Sequence, residues 1–166
     1  VIQALQHKEP DITPYHIDFT IPIREKMVAH YRSEKIEAVT GNHFFGLHAG
    51  LHSRPEWKEV KPGFWQDQFG IVWDRRIDKD IGNPAEYLLV DKRNLDKYQF
   101  PEVRPDLFSH FPALIENNQD LFILFSIGFS LFERAWTLRG MENLLLDMVD
   151  DPGFVEALLD RILEFN

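Results

Sequence analysis

The chain has 166 residues, no cysteine and a formal net charge of -9, from 27 acidic and 18 basic side chains. That length fits one domain with a sizeable core. The missing cysteines exclude a disulfide scaffold and a thiolate metal site, and the acidic balance argues against nucleic acid as the main partner. No apolar run approaches the ~20 residues of a membrane span, and no charged-then-apolar leader opens the chain, so a cytoplasmic protein with no membrane partner is expected.

In chain order, residues 1–9 read as a helix without a cap before it, and Glu9-Pro10-Asp11 as a turn. Residues 14–19 (Pro-Tyr-His-Ile-Asp-Phe) read as a short strand. Pro22 to about Arg32 reads as a helix with Ile23, Met27, Val28 and Tyr31 inward. Residues 39–47 suggest a second strand, interrupted by Gly41 and Gly46. Residues 50–104 change character, being rich in Pro and Gly and holding Trp57, Trp65 and Trp73. Within them, residues 64–73 place aromatic and β-branched residues around Gly70, which suggests a hairpin or two short extended pieces.

From Pro105 the pattern becomes regular. Residues 106–116 read as a helix with Leu107, Phe108, Phe111, Leu114 and Ile115 on one side, followed by an Asn117-Asn118 turn. Residues 121–127 are apolar at nearly every position, as a strand buried on both faces would be. Ser130 and Glu133 form an S-x-x-E capping box for a helix that runs to Arg139, with Gly140 as its stop. Residues 141–149 read as another apolar-rich helix. Asp151-Pro152 then offers an N-cap and first-turn proline for a last amphipathic helix. That helix has no stop signal, which suggests a fragment of a longer chain. A helix, an apolar strand and a helix in succession predict an α/β fold with parallel strands.

Three stretches resemble one superfamily. Residues 125–143, with the helix opened by Asp151-Pro152 after them, are similar to a strand–helix–glycine–helix region of the uroporphyrinogen decarboxylase superfamily. Residues 4–14 (Ala-Leu-Gln-His-Lys-Glu-Pro-Asp-Ile-Thr-Pro) are similar to its usual entry into the first strand. Residues 67–73 (Asp-Gln-Phe-Gly-Ile-Val-Trp) are similar to the "DeFGvvW" stretch of many bacterial members. The resemblance implies a (β/α)8 barrel. A complete one takes ~250 residues, so residues 1–166 would form a single-domain N-terminal portion, the first few strand–helix units with residues 50–104 as an insertion.

The resemblance implies a decarboxylase-type lyase acting on a tetrapyrrole or related carboxylate at the barrel mouth. Two alternatives stay open. One is a zinc-dependent methyltransferase of the same superfamily, acting with a corrinoid or thiol, whose zinc ligands would follow residue 166. The other is an inactive fragment completed by another chain. No cofactor is expected within these residues. The expected partner is a small-molecule substrate, with a homo-oligomer or a missing C-terminal half also open. The arginine-rich "MRQAGR" segment of the decarboxylase itself is replaced here by residues 15–20, and its "FSD" segment by residues 41–45, which points away from uroporphyrinogen as the substrate.

Barrel chemistry sits at the carboxyl ends of strands. On that reading Asp18 and Asp67 are the candidate catalytic residues, and His16, Asn42, His43, Ser126 and Arg134 the candidate substrate contacts. Asp18 also reads as a turn cap, Asp67 as a turn residue ahead of Gly70, and Arg134 as a partner for Glu133. Thr20, Ser130 and Glu133 lie near these positions. His43, His48 and His52 lack an acidic residue among them and read as surface or loop histidines, so no metal site is assigned.

Overall fold

A computed structural model describes residues 1–48 and 57–166. The chain is mixed α/β, with a two-stranded parallel pair and a four-stranded antiparallel meander. It divides into two compact units. The first comprises Val1–Leu47 and Phe108–Ser126, the second His48–Leu107 and Ile127–Asn166.

In the first unit, α1 (Ile2–Leu5) is a single turn. Helix α2 (Ile21–Tyr31) begins after Thr20 with Pro22 in its first turn and stops at Arg32, whose backbone is left-handed (φ 53°). Helix α2 buries no residue fully. Met27 and Val28 are half-buried, whereas Ile23 and Tyr31, expected inward, are exposed. The strand expected over residues 39–47 is divided. Helix α3 (Ile36–Thr40) ends at Gly41 (φ 69°), and strand β1 (Phe44–His48) follows. Only a residue tolerant of the left-handed region closes α3 so tightly, and a Cβ at Gly41 would also meet the Tyr15 hydroxyl at 2.8 Å.

The strand expected over residues 14–19 does not form a ladder. Its backbone is instead held by residues 40–43. His43 N–H donates to the Tyr15 carbonyl at 3.1 Å. The Asn42 amide accepts from Ile17 N–H and donates to the Ile17 carbonyl, both at 3.0 Å. One side chain thus satisfies both backbone groups of Ile17, as a neighbouring strand would.

Helix α4 (Phe111–Glu116) leads to the strand that pairs with β1, named β6 (Phe122–Ser126) because four short strands of the second unit precede it in the chain. Phe122 N–H donates to the His43 carbonyl at 2.9 Å, and the Phe44 and Phe122 rings meet edge-on at 6.0 Å. On β6, Phe122 and Ile123 are half-buried, but Leu124, Phe125 and Ser126 are exposed. The double burial expected of this strand is therefore absent. Among the described residues only β1 pairs with β6, and the Phe111 ring of α4 reaches the Phe125 ring at 5.8 Å.

The second unit opens with the meander: β2 (Lys58–Lys61), β3 (Phe64–Gln66), β4 (Val72–Asp74) and β5 (Asn83–Pro84), each antiparallel to the next. The β3–β4 hairpin is the one suggested around Gly70, and it sets Trp65 directly opposite Trp73. Three helices follow: α5 (Leu131–Arg139), α6 (Met141–Asp150) and α7 (Pro152–Phe165). The shared core is Phe69, Ile71 and Trp73 from the hairpin, Leu89 and Leu95 from the following segment, and Ala135, Leu138, Leu144, Val155, Leu158 and Ile162 from the helices.

The two N-caps read from sequence behave differently. Asp151 accepts from Phe154 N–H at 3.3 Å and also pairs with Lys92 at 2.8 Å. Ser130 occupies the N-cap position of α5 but makes no capping bond. Its backbone (φ -82°, ψ -136°) departs from the extended geometry that aims a cap hydroxyl at the first turn, so the expected capping box does not form. Asp151→Ala should therefore cost about 1 kcal/mol, and Ser130→Ala should stay within about 0.5 kcal/mol of the parent. Urea unfolding midpoints of the two variants check this; equal losses would show that Ser130 caps α5 after all.

Candidate functional site

The candidate residues fall into two groups, one in each unit. In the first unit the anchored segment 15–18 carries His16 and Asp18 on neighbouring positions of one side. His16 Nε2 lies 2.9 Å from Asp18 Oδ1. Asp18 is 90% exposed at its side chain and His16 about a third. Asn42 is buried and its amide is used entirely on local groups, taking Ile17 N–H and the Thr40 hydroxyl as donors and giving to the Ile17 carbonyl. His43 Nδ1 lies 3.3 Å from Tyr15 N, and the His43 ring meets the Tyr15 ring edge-on at 4.6 Å. Asn42 and His43 therefore position the backbone on which His16 and Asp18 stand. Arg24 and Glu37 form a further ion pair in this unit, and Glu37 feels the charge of His16.

Asp18 is thus neither buried nor at the carboxyl end of the parallel pair. It belongs to a segment tied to Asn42 and His43, immediately ahead of β1. The strand end expected to carry it into a barrel mouth is absent, because residues 14–19 form no ladder. Ser126 does end β6 at the carboxyl side and is exposed. Thr20 ends on the first residue before α2 and makes no side-chain cap. His48 is the last residue of β1, and His52 lies outside the described residues. Among the described residues no three His, Asp or Glu side chains group as metal ligands, and no helix is long and apolar enough to cross a membrane.

In the second unit Asp67 and Arg134 come together. Asp67 closes the turn between β3 and β4: Gly70 N–H donates to its carbonyl at 3.0 Å, and Gly70 takes φ 83°. The Asp67 carboxylate is buried. Oδ1 accepts from Ile71 N–H at 2.9 Å and Oδ2 from the Trp73 indole at 3.0 Å. The guanidinium of Arg134, 1% exposed, stands 3.9 Å from Oδ2, and its central carbon lies over the Phe69 ring, 3.4 Å from the centroid. Tyr98 closes the same region, its hydroxyl donating to the Phe69 carbonyl at 2.9 Å. Sequence reasoning singled out both ions but not their pairing, nor Trp73 and Tyr98 as their neighbours.

Burial shapes the charges here. It pushes the Asp67 carboxyl above its ordinary value, against the opposing bonds from Trp73 and Ile71 and the charge of Arg134. It pulls the Arg134 guanidinium down to about 10, against Asp67. Burial also raises the Tyr98 phenol. At 3.9 Å the attraction of the pair does not offset the desolvation of either member. The pair accordingly organises the unit's interior, since both groups are shut away from solvent. A second buried pair lies nearby in the chain: Arg139 Nε donates to Asp147 at 2.6 Å, while Lys92 bridges Asp147 and Asp151.

Comparison of the chain with protein-family models, with curated proteins and with solved structures gives no match.

The two buried carboxylates titrate with opposite consequences. Asp67 holds its proton more tightly when folded, so its contribution to stability falls as pH rises from its unfolded value towards its raised folded one. For Asp147, burial acts upward but the bonds from Arg139 and Lys92 outweigh it, and the carboxyl sits below its ordinary 3.8. Its contribution is present above that value and is lost as pH falls through the folded one. Asp147→Asn should therefore cost less near pH 3 than at pH 7, whereas Asp67→Asn should cost more at the acid end. Asp67→Ala, which strands Arg134, should lose about 3 kcal/mol at neutral pH. Urea unfolding of each variant across pH 3–7 checks the signs, and parallel curves for the two asparagine variants would refute them.

Proposed function

We propose that the chain supplies the first strand–helix units of a (β/α)8 enzyme of the uroporphyrinogen decarboxylase superfamily, a lyase acting on a carboxylate-bearing substrate. The observation that carries this reading is the parallel pairing of β1 with β6, where β6 passes through Gly128 into helix α5. Parallel strands followed by helices are the repeating element of such a barrel. The exposed Leu124 and Phe125 of β6 agree with it: a barrel would bury these side chains, inside or under its helices. The stretches at residues 4–14, 67–73 and 125–143 add the resemblance on which the family name rests.

Asp18 and His16 enter this reading as a proton-handling pair on the strength of their mutual contact alone, since they stand ahead of β1 and not at the carboxyl end of the parallel pair. The 2.9 Å bond between them fixes the imidazole, and the Asn42 clamp on Ile17 fixes the backbone beneath. A carboxylate and an imidazole in that relation can protonate a carbanion after loss of CO2. Ser126, at the carboxyl end of β6, is the substrate contact that the barrel geometry favours. Asp67 and Arg134 act in this reading as buried supports, not as groups that meet substrate.

The test uses the complete enzyme. Porphyrinogens and smaller aromatic carboxylates are incubated with it, and CO2 release is followed together with the products. Decarboxylation that falls by about a hundredfold in Asp18→Asn, with the fold retained by circular dichroism, is the expected result for an acid–base group. Unchanged turnover in Asp18→Asn would return that residue to a surface role. Methyl transfer to a thiol or corrinoid, with no CO2 released, would overturn the lyase reading in favour of the zinc-dependent branch of the superfamily.

A further inference from the structure

Helix α6 turns most of its apolar residues outward. Leu144 and Asp147 face the core, while Met141, Leu145, Leu146, Met148 and Val149 are exposed, Val149 to 81%. Met141, Leu145, Met148 and Val149 recur at i, i+4, i+7 and i+8, so they form one stripe along the helix. Leu146 extends it, and Glu142 projects between Leu146 and Val149 at 100° per residue. Scattered apolar side chains on a surface are ordinary, but a contiguous stripe of this kind marks an interaction site.

The exposed charges of the helices themselves have a single sign, while Lys92 of the preceding segment meets Asp147 and Asp151 at the carboxyl-terminal half of α6. Helices α5–α7 contain three basic residues, Arg134, Arg139 and Arg161. All three are used inside the unit. Arg134 is buried against Asp67, Arg139 binds Asp147 and the Leu89 and Val90 carbonyls, and Arg161 donates to the Leu95 and Tyr98 carbonyls. Glu133, Glu142, Asp150, Glu156, Asp160 and Glu164, by contrast, are exposed. The outer surface of the helical layer therefore offers an apolar stripe among carboxylates, with no cation of its own.

We propose that the outer face of α6 is a docking surface for a basic amphipathic helix of a partner protein, whose apolar side packs on Met141, Leu145, Met148 and Val149 while its lysines or arginines meet Glu142 and Asp150. The charge pattern selects this occupant. A second copy of α6, running parallel or antiparallel, would bring carboxylates against carboxylates across an apolar seam, which costs stability. An anionic membrane would be repelled by the same groups. The inference rests on the second unit alone and is independent of the proposed reaction.

The probe is a synthetic Leu/Lys amphipathic helix of about 18 residues, long enough to be helical, carrying a fluorophore and titrated with the chain at low salt. Two controls keep its composition or its apolar face: a scrambled Leu/Lys peptide and a Leu/Glu helix. The expected result is binding of the Leu/Lys helix, at least about tenfold weaker binding of both controls, and weakening with added salt. Leu145→Ser with Val149→Ser should cost at least about tenfold, and Glu142→Lys a similar factor. Circular dichroism should be unchanged in each, because these side chains are already exposed. No binding, equal binding of the Leu/Glu helix, or binding untouched by the variants would overturn the proposal. Concentration-dependent dimerisation abolished by Val149→Ser would put a second copy on this face instead, and vesicle binding abolished by the same change would put a membrane there.

Discussion

A carboxylate taken out of water has to be satisfied from within, and Asp67 is satisfied by groups from separate parts of the second unit. Ile71 N–H reaches it across the turn, the Trp73 indole from strand β4, and Arg134 from helix α5. These bonds do not fully offset the desolvation of Asp67, but they organise the structure around it. They fix the β3–β4 turn, hold the largest fully buried side chain, Trp73, in one orientation, and fasten the hairpin to the first helix of the layer. Arg134 in turn lies over Phe69, so the same ion pair also packs against an aromatic face, where a desolvated guanidinium gains most. The remaining core residues assemble around a joint whose polar members leave little freedom for an alternative packing.

Arg139 works on the other side of α5 in a related way. Its guanidinium accounts for the Leu89 and Val90 carbonyls, which no strand partner claims, and binds Asp147 from α6. Leu89 N–H donates to the Leu138 carbonyl at 3.0 Å, so the segment between meander and helices is held by backbone and side chain together. Lys92 completes the arrangement by spanning Asp147 and Asp151, the latter being the N-cap of α7. One chain of charged contacts therefore links the irregular segment to the end of α5, the interior of α6 and the beginning of α7. Removing Arg139 or Asp147, the two buried members, would leave the other's charge buried, which is costlier than the pair itself is stabilising.

What could be read from the sequence divides along physical lines. Helices α5, α6 and α7 were legible because their signals are local: apolar spacing, Gly140 (φ 91°) between two helices, and Asp151-Pro152 before the third. The β3–β4 hairpin was legible for the same reason. Residues 14–19 were misread as a strand because their composition is extended, whereas pairing is decided by the partner, and here the partners are the Asn42 side chain and His43 instead of a neighbouring strand. The same ambiguity applied to residues 39–47, where Gly41 ends a helix instead of interrupting a strand. β6 was placed within a residue at either end, but its burial was not, because burial is set by what packs on the strand and not by its own residues. Of the site, Asp67 and Arg134 were picked out singly; their meeting depends on 66 intervening residues folding back, which no motif records.

The distribution of charge connects these observations. The helical layer spends its three arginines on the interior, on Asp67, on Asp147 and on backbone carbonyls that lack strand partners. Each of these uses is structural, and each withdraws a cation from the surface. The excess of 27 acidic over 18 basic side chains is thereby sharpened outside, because what remains exposed on α5–α7 is carboxylate. In the first unit Arg24 is paired with Glu37, and His16 stands beside Asp18 on a segment open to solvent. The acidic outer surface of α5–α7 follows directly from burying arginines to complete an irregular backbone.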